Sequence, residues 1–138
     1  LSKEAKPKDK YFNSPESDIY NKSAILYGLH LAKQSIRKNG KAYLVEGYTD
    51  VISMHQAGIK NTVATCGTSL TDEHVKLLKR FTKHVVILRD GDVAGRNAAN
   101  RDLMMLLKAG MRSEICILPK GEDPDSICKR LSNQSLES

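Results

Sequence analysis

The stretch KHVVILRDGDVAG, residues 83–95, decides the fold because it joins an apolar run to an acidic turn and the start of a helical pattern. Residues 85–88 are all aliphatic, which is typical of a strand buried on both faces of a parallel sheet. Asp90 and Asp92 follow where this strand would end. Two carboxylates this close repel each other, and a hard cation such as Mg²⁺ would relieve that repulsion. Taken alone, the stretch is also compatible with an acidic turn in which Asp92 caps the next helix.

Length and composition indicate one α/β domain. The 138 residues are 40% hydrophobic but include only two Phe and no Trp, so the core must consist of aliphatic side chains. The apolar runs are far shorter than the roughly 18 to 20 residues of a membrane span, and no apolar stretch follows the lysine-rich start as in a signal peptide. We therefore expect a cytoplasmic protein with no membrane contact.

Charge content indicates the type of partner, and cysteine content indicates whether zinc or disulfides are expected. The chain has 22 Lys and Arg against 16 Asp and Glu, a net charge of +6, which favours a polyanionic partner. Its three cysteines, Cys66, Cys116 and Cys128, have no metal-ligand spacing. We therefore expect buried reduced thiols, with neither a zinc site nor disulfides.

The order of apolar patterns predicts alternating helices and strands. A helical pattern starts at Ser23 with apolar residues at 25, 29, 32 and 36, and a capping box of Ser69 and Asp72 would open a later helix. The other predicted elements are strands over residues 42–45, 63–66, 85–88 and 115–118, and helices after residue 49, over 93–109 and over 126–131. Four such alternations predict a parallel sheet flanked by helices.

The chain divides into three parts. Residues 1–22 read as an extended lead-in, residues 23–131 as the domain, and residues 132–138 as a polar tail. Because the sequence starts with Leu1 and not with Met, we expect it to be a piece of a longer protein.

Acidic residues follow three of the predicted strands. Glu46 follows the first strand, Asp90 and Asp92 the third, and Asp123 and Asp125 the fourth. In an open parallel sheet these positions meet at the carboxyl edge of the strands. We therefore predict that this edge binds one or two Mg²⁺ ions, as in phosphoryl transfer.

The loop after the second strand lies at the same predicted edge. Gly67, Thr68 and Ser69 are small and polar, and they precede a helix. Their backbone amides would suit an anion such as a phosphate.

Several motifs in the same order resemble a known family. VEGYTDV around Glu46, DGDVAG around Asp90 and the turn GEDPD look like the motifs of the Toprim fold, which primases, topoisomerases and some nucleases share. The segments YFNSPES, KSAILYGL, ATCGTSLT and GRNAA are similar to bacterial DNA primases of the DnaG type. The resemblance covers the chain from Lys10 to about Arg130.

This resemblance implies a fold, an activity and a set of partners. The fold is a Toprim subdomain within an RNA polymerase core that makes short RNA primers on single-stranded DNA from ribonucleoside triphosphates. The cofactor is Mg²⁺, for which Mn²⁺ substitutes, and no zinc is expected in this piece. The replicative helicase would be reached through a carboxy-terminal domain that this chain lacks.

The same resemblance implies roles for individual residues. Glu46, Asp90 and Asp92 would be the catalytic metal ligands, with Glu46 alternatively a general acid or base. Asp123 and Asp125 would complete the acidic cluster. The positions that would approach template or nucleotide are Lys10, Asn13 and Lys22.

One position departs from the family pattern. The residue before the DGD turn is usually aromatic or apolar, and here it is Arg89. Alternation along a strand sends its side chain to the opposite face from Asp90. We expect Arg89 not to contact the metal ions and to pair with a neighbouring acid or a phosphate.

The four histidines show no ligand spacing, and we expect them at the surface or at an edge.

Other functions remain open at this point. A topoisomerase would need a tyrosine nucleophile, and no tyrosine here lies in a recognisable cleavage motif. In a haloacid-dehalogenase-like phosphatase, we would expect Thr or a similar residue at the position of Ala94. A nuclease, or a Toprim module that only binds nucleic acid, is the remaining alternative, and the intact acidic set argues against the module that only binds.

Overall fold

The computed structural model describes residues 24–119, which form a four-stranded sheet with four helices. The elements, in chain order, are α1 (Leu29–Asn39), β1 (Ala42–Val45), α2 (Tyr48–Gln56), β2 (Thr62–Ala64), α3 (Asp72–Lys79), β3 (His84–Asp90), α4 (Val93–Lys108) and β4 (Arg112–Leu118). The strands lie in the order β2-β1-β3-β4, and all pairings between them are parallel. The predicted α/β fold with a four-stranded parallel sheet flanked by helices is confirmed.

The two central strands fix the geometry of the carboxyl edge. In the pairing of β1 with β3, Ala42 lies opposite Val85 and Leu44 opposite Ile87. Strand β3 then continues alongside β4 as far as the pair Asp90 and Leu118. The acidic turn therefore begins at the last paired residue of the central strand.

Each face of the sheet carries its own apolar core. On one face, α1, α3 and α4 bury side chains such as Ile36, Leu78 and Leu106 against Leu44 and Ile87. On the other face, α2 buries Val51 and Met54 against side chains that include Val45 and Leu88. Residues 85–88 are buried on both faces, as their continuous aliphatic run predicts.

Helix α1 begins later than its apolar spacing suggests. Tyr27 forms an antiparallel bridge to Ala64, with its N–H donating to the Ala64 carbonyl at 2.8 Å. Gly28 then adopts φ 85°, a left-handed conformation that glycine tolerates, and the helix starts at Leu29. Ile25 is consequently 43% exposed and does not belong to the helical face. The prediction of a helix from Ser23 is wrong because extended pairing with β2 takes precedence.

Helix α3 also has a different start from the predicted one. Thr71 is its N-cap: its side chain accepts the His74 N–H at 3.1 Å, while its own N–H donates to His74 Nδ1 at 3.1 Å. The predicted capping box of Ser69 and Asp72 is therefore wrong. His74 is fully buried within α3, which contradicts its expected place at the surface or at an edge.

Within residues 24–119, no helix combines the length and the apolar character needed to cross a membrane. The predicted lead-in (residues 1–22), the predicted helix over 126–131 and the tail (residues 132–138) lie outside the described residues.

Candidate metal and phosphate site

Glu46 and the Asp90 turn lie at the carboxyl ends of two neighbouring strands. Strand β1 ends at Val45, and the backbone continues through Glu46, whose carbonyl accepts the Cys66 N–H at 3.1 Å. Continuing the register of β1 and β3 by two residues places Glu46 level with Arg89, one residue before Asp90. The order of the strands therefore brings acids 44 residues apart to one sheet edge.

The acidic turn is tightly closed. Asp92 is the N-cap of α4, and its Oδ1 accepts the Gly95 N–H at 2.6 Å. A Cβ on Gly95 would lie 2.9 Å from Asp92 Oδ1 and closer still to the Asp90 carbonyl oxygen. Arg96 adds a hydrogen bond from Nε to the Gly91 carbonyl at 2.9 Å. Only glycine at position 95 allows the helix to start this close to the strand end.

Asp92 thus has a structural role that its sequence context also suggested. Its Oδ1 satisfies one of the free N–H groups at the start of α4. Capping by one oxygen leaves the other oxygen for a further ligand. A metal-ligand role for Asp92 is therefore compatible with its capping role.

Arg89 connects the acidic edge to the interior. It is only 8% exposed, and Nη1 lies 3.4 Å from Glu46 Oε2 while Nη2 donates to Asp102 Oδ2 at 3.0 Å. The predicted pairing of Arg89 with a neighbouring acid is confirmed. Its expected separation from the metal ligands is not what the structure shows, because one of its two partners is Glu46.

Among residues 24–119, no three His, Cys, Asp or Glu side chains gather closely enough to hold a metal ion. Glu46 pairs with Arg89 and Asp92 bonds to Gly95, while alternation along β3 directs Asp90 away from Arg89. Asp123 and Asp125 lie outside the described residues. Carboxylate oxygens are the type of ligand that Mg²⁺ prefers. Because the described residues form no such cluster and Asp123 and Asp125 are not among them, the five-residue metal site stays a prediction.

The loop after β2 has an unusual backbone. Cys66 and Gly67 are successive left-handed residues, with φ 55° and 86°. Because α3 begins only at Asp72, the amides of Gly67 and Thr68 do not form its first turn. The phosphate role of these two residues therefore stays a prediction. Lys10, Asn13 and Lys22, the predicted template or nucleotide contacts, lie outside the described residues.

Asp102 is a residue that the sequence reasoning missed. It lies in α4 and is 2% exposed, three residues after the buried Ala99 and four before the buried Leu106. An acid at a core-facing helical position is a signal of a buried ion pair. Burial raises the pKa of the Asp102 carboxyl, and the Arg89 guanidinium opposes this rise.

A family model described as Toprim-like matches residues 43–128 of this fold. The chain therefore belongs to the Toprim-like family. Within that family it is similar to DNA primases: it is 47% identical over 129 residues to the DNA primase of Helicobacter pylori and 45% identical over 127 residues to that of Aquifex aeolicus. These matches cover 94% and 92% of this chain but only 22% and 26% of the relatives, so the chain spans about a quarter of their length.

Solved structures of primases are also similar to this chain. The zinc-binding and RNA polymerase domains of the Aquifex aeolicus primase match with a TM-score of 0.77 and 44% identity, covering 90% of this chain and 31% of that one. A DnaG primase catalytic domain bound to single-stranded DNA matches with a TM-score of 0.75 and 41% identity, covering 91% and 41%. The predicted resemblance to bacterial DNA primases is confirmed.

Proposed function

We propose that this chain is the metal-binding Toprim part of a DNA primase. The whole protein would be a nucleotidyltransferase, a DNA-directed RNA polymerase that synthesises short RNA primers on single-stranded DNA for replication. The observation that carries the proposal is the position of Glu46, Asp90 and Asp92 at adjacent strand ends in a chain 47% identical to a primase.

The carboxylates at this edge are proposed to hold Mg²⁺, for which Mn²⁺ would substitute. Glu46, Asp90 and Asp92 are the main ligands, and Asp123 and Asp125 complete the set. When bound, a divalent ion would supply activation of the attacking hydroxyl and charge stabilisation for the leaving phosphate. The hydrogen bond from the Gly95 N–H to Asp92 would hold the start of α4 in place beside this site. Zinc has no proposed role in this piece.

Glu46 has a second possible role in the same reaction. Its side chain is 65% exposed although one oxygen lies 3.4 Å from Arg89. An exposed carboxylate at a strand end can accept a proton from a bound hydroxyl. General acid or base catalysis by Glu46 is the alternative to its role as a ligand.

Nucleic acid and nucleotide would bind around this edge. Gly67 and Thr68 are proposed to contact nucleotide phosphates, and Lys10, Asn13 and Lys22 to contact the template or the nucleotide. The net charge of +6 suits such partners. The similarity to a DnaG catalytic domain bound to single-stranded DNA supports a single-stranded template.

The remaining proposals concern the whole protein. Its substrates are ribonucleoside triphosphates and its product is an RNA primer, made at the replication fork in the cytoplasm. It would contact the replicative helicase through a domain outside this chain. Residues 23–131 would form the Toprim domain, residues 1–22 the end of the preceding lobe, and residues 132–138 a polar tail. Since a template groove needs a second wall, this chain alone would synthesise little primer.

Primer synthesis by the full-length protein tests the proposal. Single-stranded DNA, labelled ribonucleoside triphosphates and Mg²⁺ should yield short RNA, and EDTA should abolish it. The same preparation should not relax supercoiled DNA or cut it. Relaxation or cleavage without nucleotide incorporation would instead identify a topoisomerase or a nuclease.

A further inference from the structure

The side chains of Glu46, Arg89 and Asp102 form a continuous chain of ion pairs from the sheet edge to helix α4. The guanidinium of Arg89 uses separate nitrogens for the two acids, at 3.4 Å to Glu46 and 3.0 Å to Asp102. Three different elements meet here, the end of β1, strand β3 and the middle of α4. We call this group of two carboxylates and one guanidinium the Glu46–Arg89–Asp102 link.

The two ends of the link differ in exposure. The side chain of Asp102 is 3% exposed, whereas that of Glu46 is 65% exposed. A buried arginine needs a buried partner because an uncompensated charge inside a protein is unstable. Asp102 provides this partner, so its negative charge compensates the positive charge of Arg89 independently of Glu46.

The charge balance bears directly on metal binding. Arg89 alone beside Glu46 would form a neutral pair, and the guanidinium would compete with a cation for the carboxylate. With Asp102 included, the link has one net negative charge, which lies toward the exposed end. Arg89 can then hold Glu46 in one orientation without removing its attraction for a divalent ion.

We propose that Asp102 is a positioning residue for the metal site, acting through Arg89 on Glu46. The proposal rests on the proposed function of Glu46 as a ligand of Mg²⁺. It assigns to the interior of α4 a part in cation binding at the edge of the sheet. Asp102 itself does not contact the ion.

Mn²⁺ binding to the 138-residue chain, followed by electron paramagnetic resonance, tests this assignment. Asp102→Asn should weaken Mn²⁺ binding by about tenfold, the scale of one uncompensated charge near a cation at an exposed edge. In an Arg89→Gln background, the same Asp102→Asn change should alter the affinity by less than about twofold, since the charge that Asp102 balances is gone.

A matched control separates this effect from the change in net charge. Glu114→Gln removes one carboxylate near the opposite end of the sheet, where Glu114 pairs with His84 at 3.0 Å. It should leave the Mn²⁺ affinity unchanged. An Asp102→Asn effect that is absent, or equally large with and without Arg89, would overturn the proposal.

Glu46→Gln distinguishes a failure of the positioning role of Asp102 from a failure of the ligand role of Glu46. If it weakens Mn²⁺ binding while Asp102→Asn does not, only the role of Asp102 fails. If Glu46→Gln itself has no effect on Mn²⁺ binding, the ligand role of Glu46 fails and this proposal fails with it.

A second measurement needs no substitution at Arg89 or Asp102, in case those variants do not fold. During a Mg²⁺ titration of the unaltered chain, the Arg89 side-chain N–H signals in nitrogen-15 NMR spectra should shift as Glu46 becomes shared with the ion. The shift should vanish in Glu46→Gln. Arg89 signals that stay constant while the Asp90 backbone amide shows saturation would contradict the link.

Discussion

The carboxyl and amino edges of the sheet differ in how their polar groups are paired. At the amino edge, the Thr82 hydroxyl donates to the Gly40 carbonyl at 3.0 Å and accepts the His84 N–H at 3.1 Å. Asn61 Nδ2 donates to the Lys41 carbonyl at 3.0 Å, and His84 lies 3.0 Å from Glu114. Except for the local bond between Thr82 and His84, these contacts join two segments of the chain, so this edge is closed by its own residues.

The carboxyl edge has a different arrangement. Glu46, Asp90 and Asp92 lie there as three carboxylates, and the buried Arg89 is already balanced by Asp102. Arg96 uses its Nε on a backbone carbonyl and not on an acid. The contacts at the amino edge join parts of the fold, whereas the carboxyl edge is the one at which we propose that a cation binds.

The largest expected effect is on catalysis at the carboxyl edge. Asp90→Asn in the full-length protein should lower primer synthesis by about 10³-fold, because it removes charge where we propose that the ion binds. The melting temperature should change little, since Asp90 is exposed. Glu114→Gln, at the other end of the sheet, should retain full activity. An Asp90→Asn enzyme with more than about a tenth of normal activity would contradict the difference between the edges.

At the amino edge, a substitution should lower the stability and leave metal binding unchanged. Thr82→Val keeps the shape of the side chain but leaves the His84 N–H and the Gly40 carbonyl without their partner. We expect a loss of about 2 kcal/mol in the free energy of unfolding, measured by urea denaturation. The Mn²⁺ affinity of the chain should not change. A weakened Mn²⁺ affinity with normal stability would reverse the roles assigned to the two edges.

Asp92 should show both kinds of effect, because it caps α4 and also belongs to the acidic set. Asp92→Ala should cost about 1 kcal/mol of stability through loss of the hydrogen bond to Gly95, whereas Asp92→Asn should keep most of it. Both variants should lose primer synthesis. Urea denaturation and activity assays of the pair therefore separate capping from charge. Equal stability of the two variants would show that the cap contributes nothing.

The smallest effect concerns the pH dependence of stability. Burial raises the pKa of Asp102 above its ordinary value of 3.8, so the folded chain binds this proton more tightly than the unfolded chain. The stabilising contribution of that proton is complete below pH 3.8 and is lost as the pH rises through the folded-state pKa. The free energy of unfolding of the unaltered chain, relative to Asp102→Asn, should therefore fall as the pH rises from 3.8. A difference that grows with pH would be contrary to this expectation.

The sequence predicted the features that depend on local patterns. The aliphatic run before Asp90 identified the central strand, and the predicted limits of β1, residues 42–45, agree with the structure. The rule that sites form beyond the carboxyl ends of parallel strands placed Glu46 beside the DGD turn. These inferences needed only the periodicity of the sequence and the order of the elements.

Other features depend on contacts between distant segments and could not be read from local patterns. The late start of α1 requires Tyr27 to pair with Ala64, which lies 37 residues further on in the sequence. The partners of Arg89 require both the register of β1 against β3 and the rotation of α4 about its axis.

The most direct test of the carboxyl edge is a crystal structure of this chain with Mn²⁺ and a ribonucleoside triphosphate. We predict anomalous density for Mn²⁺ within ligand distance of Asp90 and Glu46, with the triphosphate beside it. Mn²⁺ bound elsewhere on the chain, with Asp90 and Glu46 making no contact to it, would contradict the account.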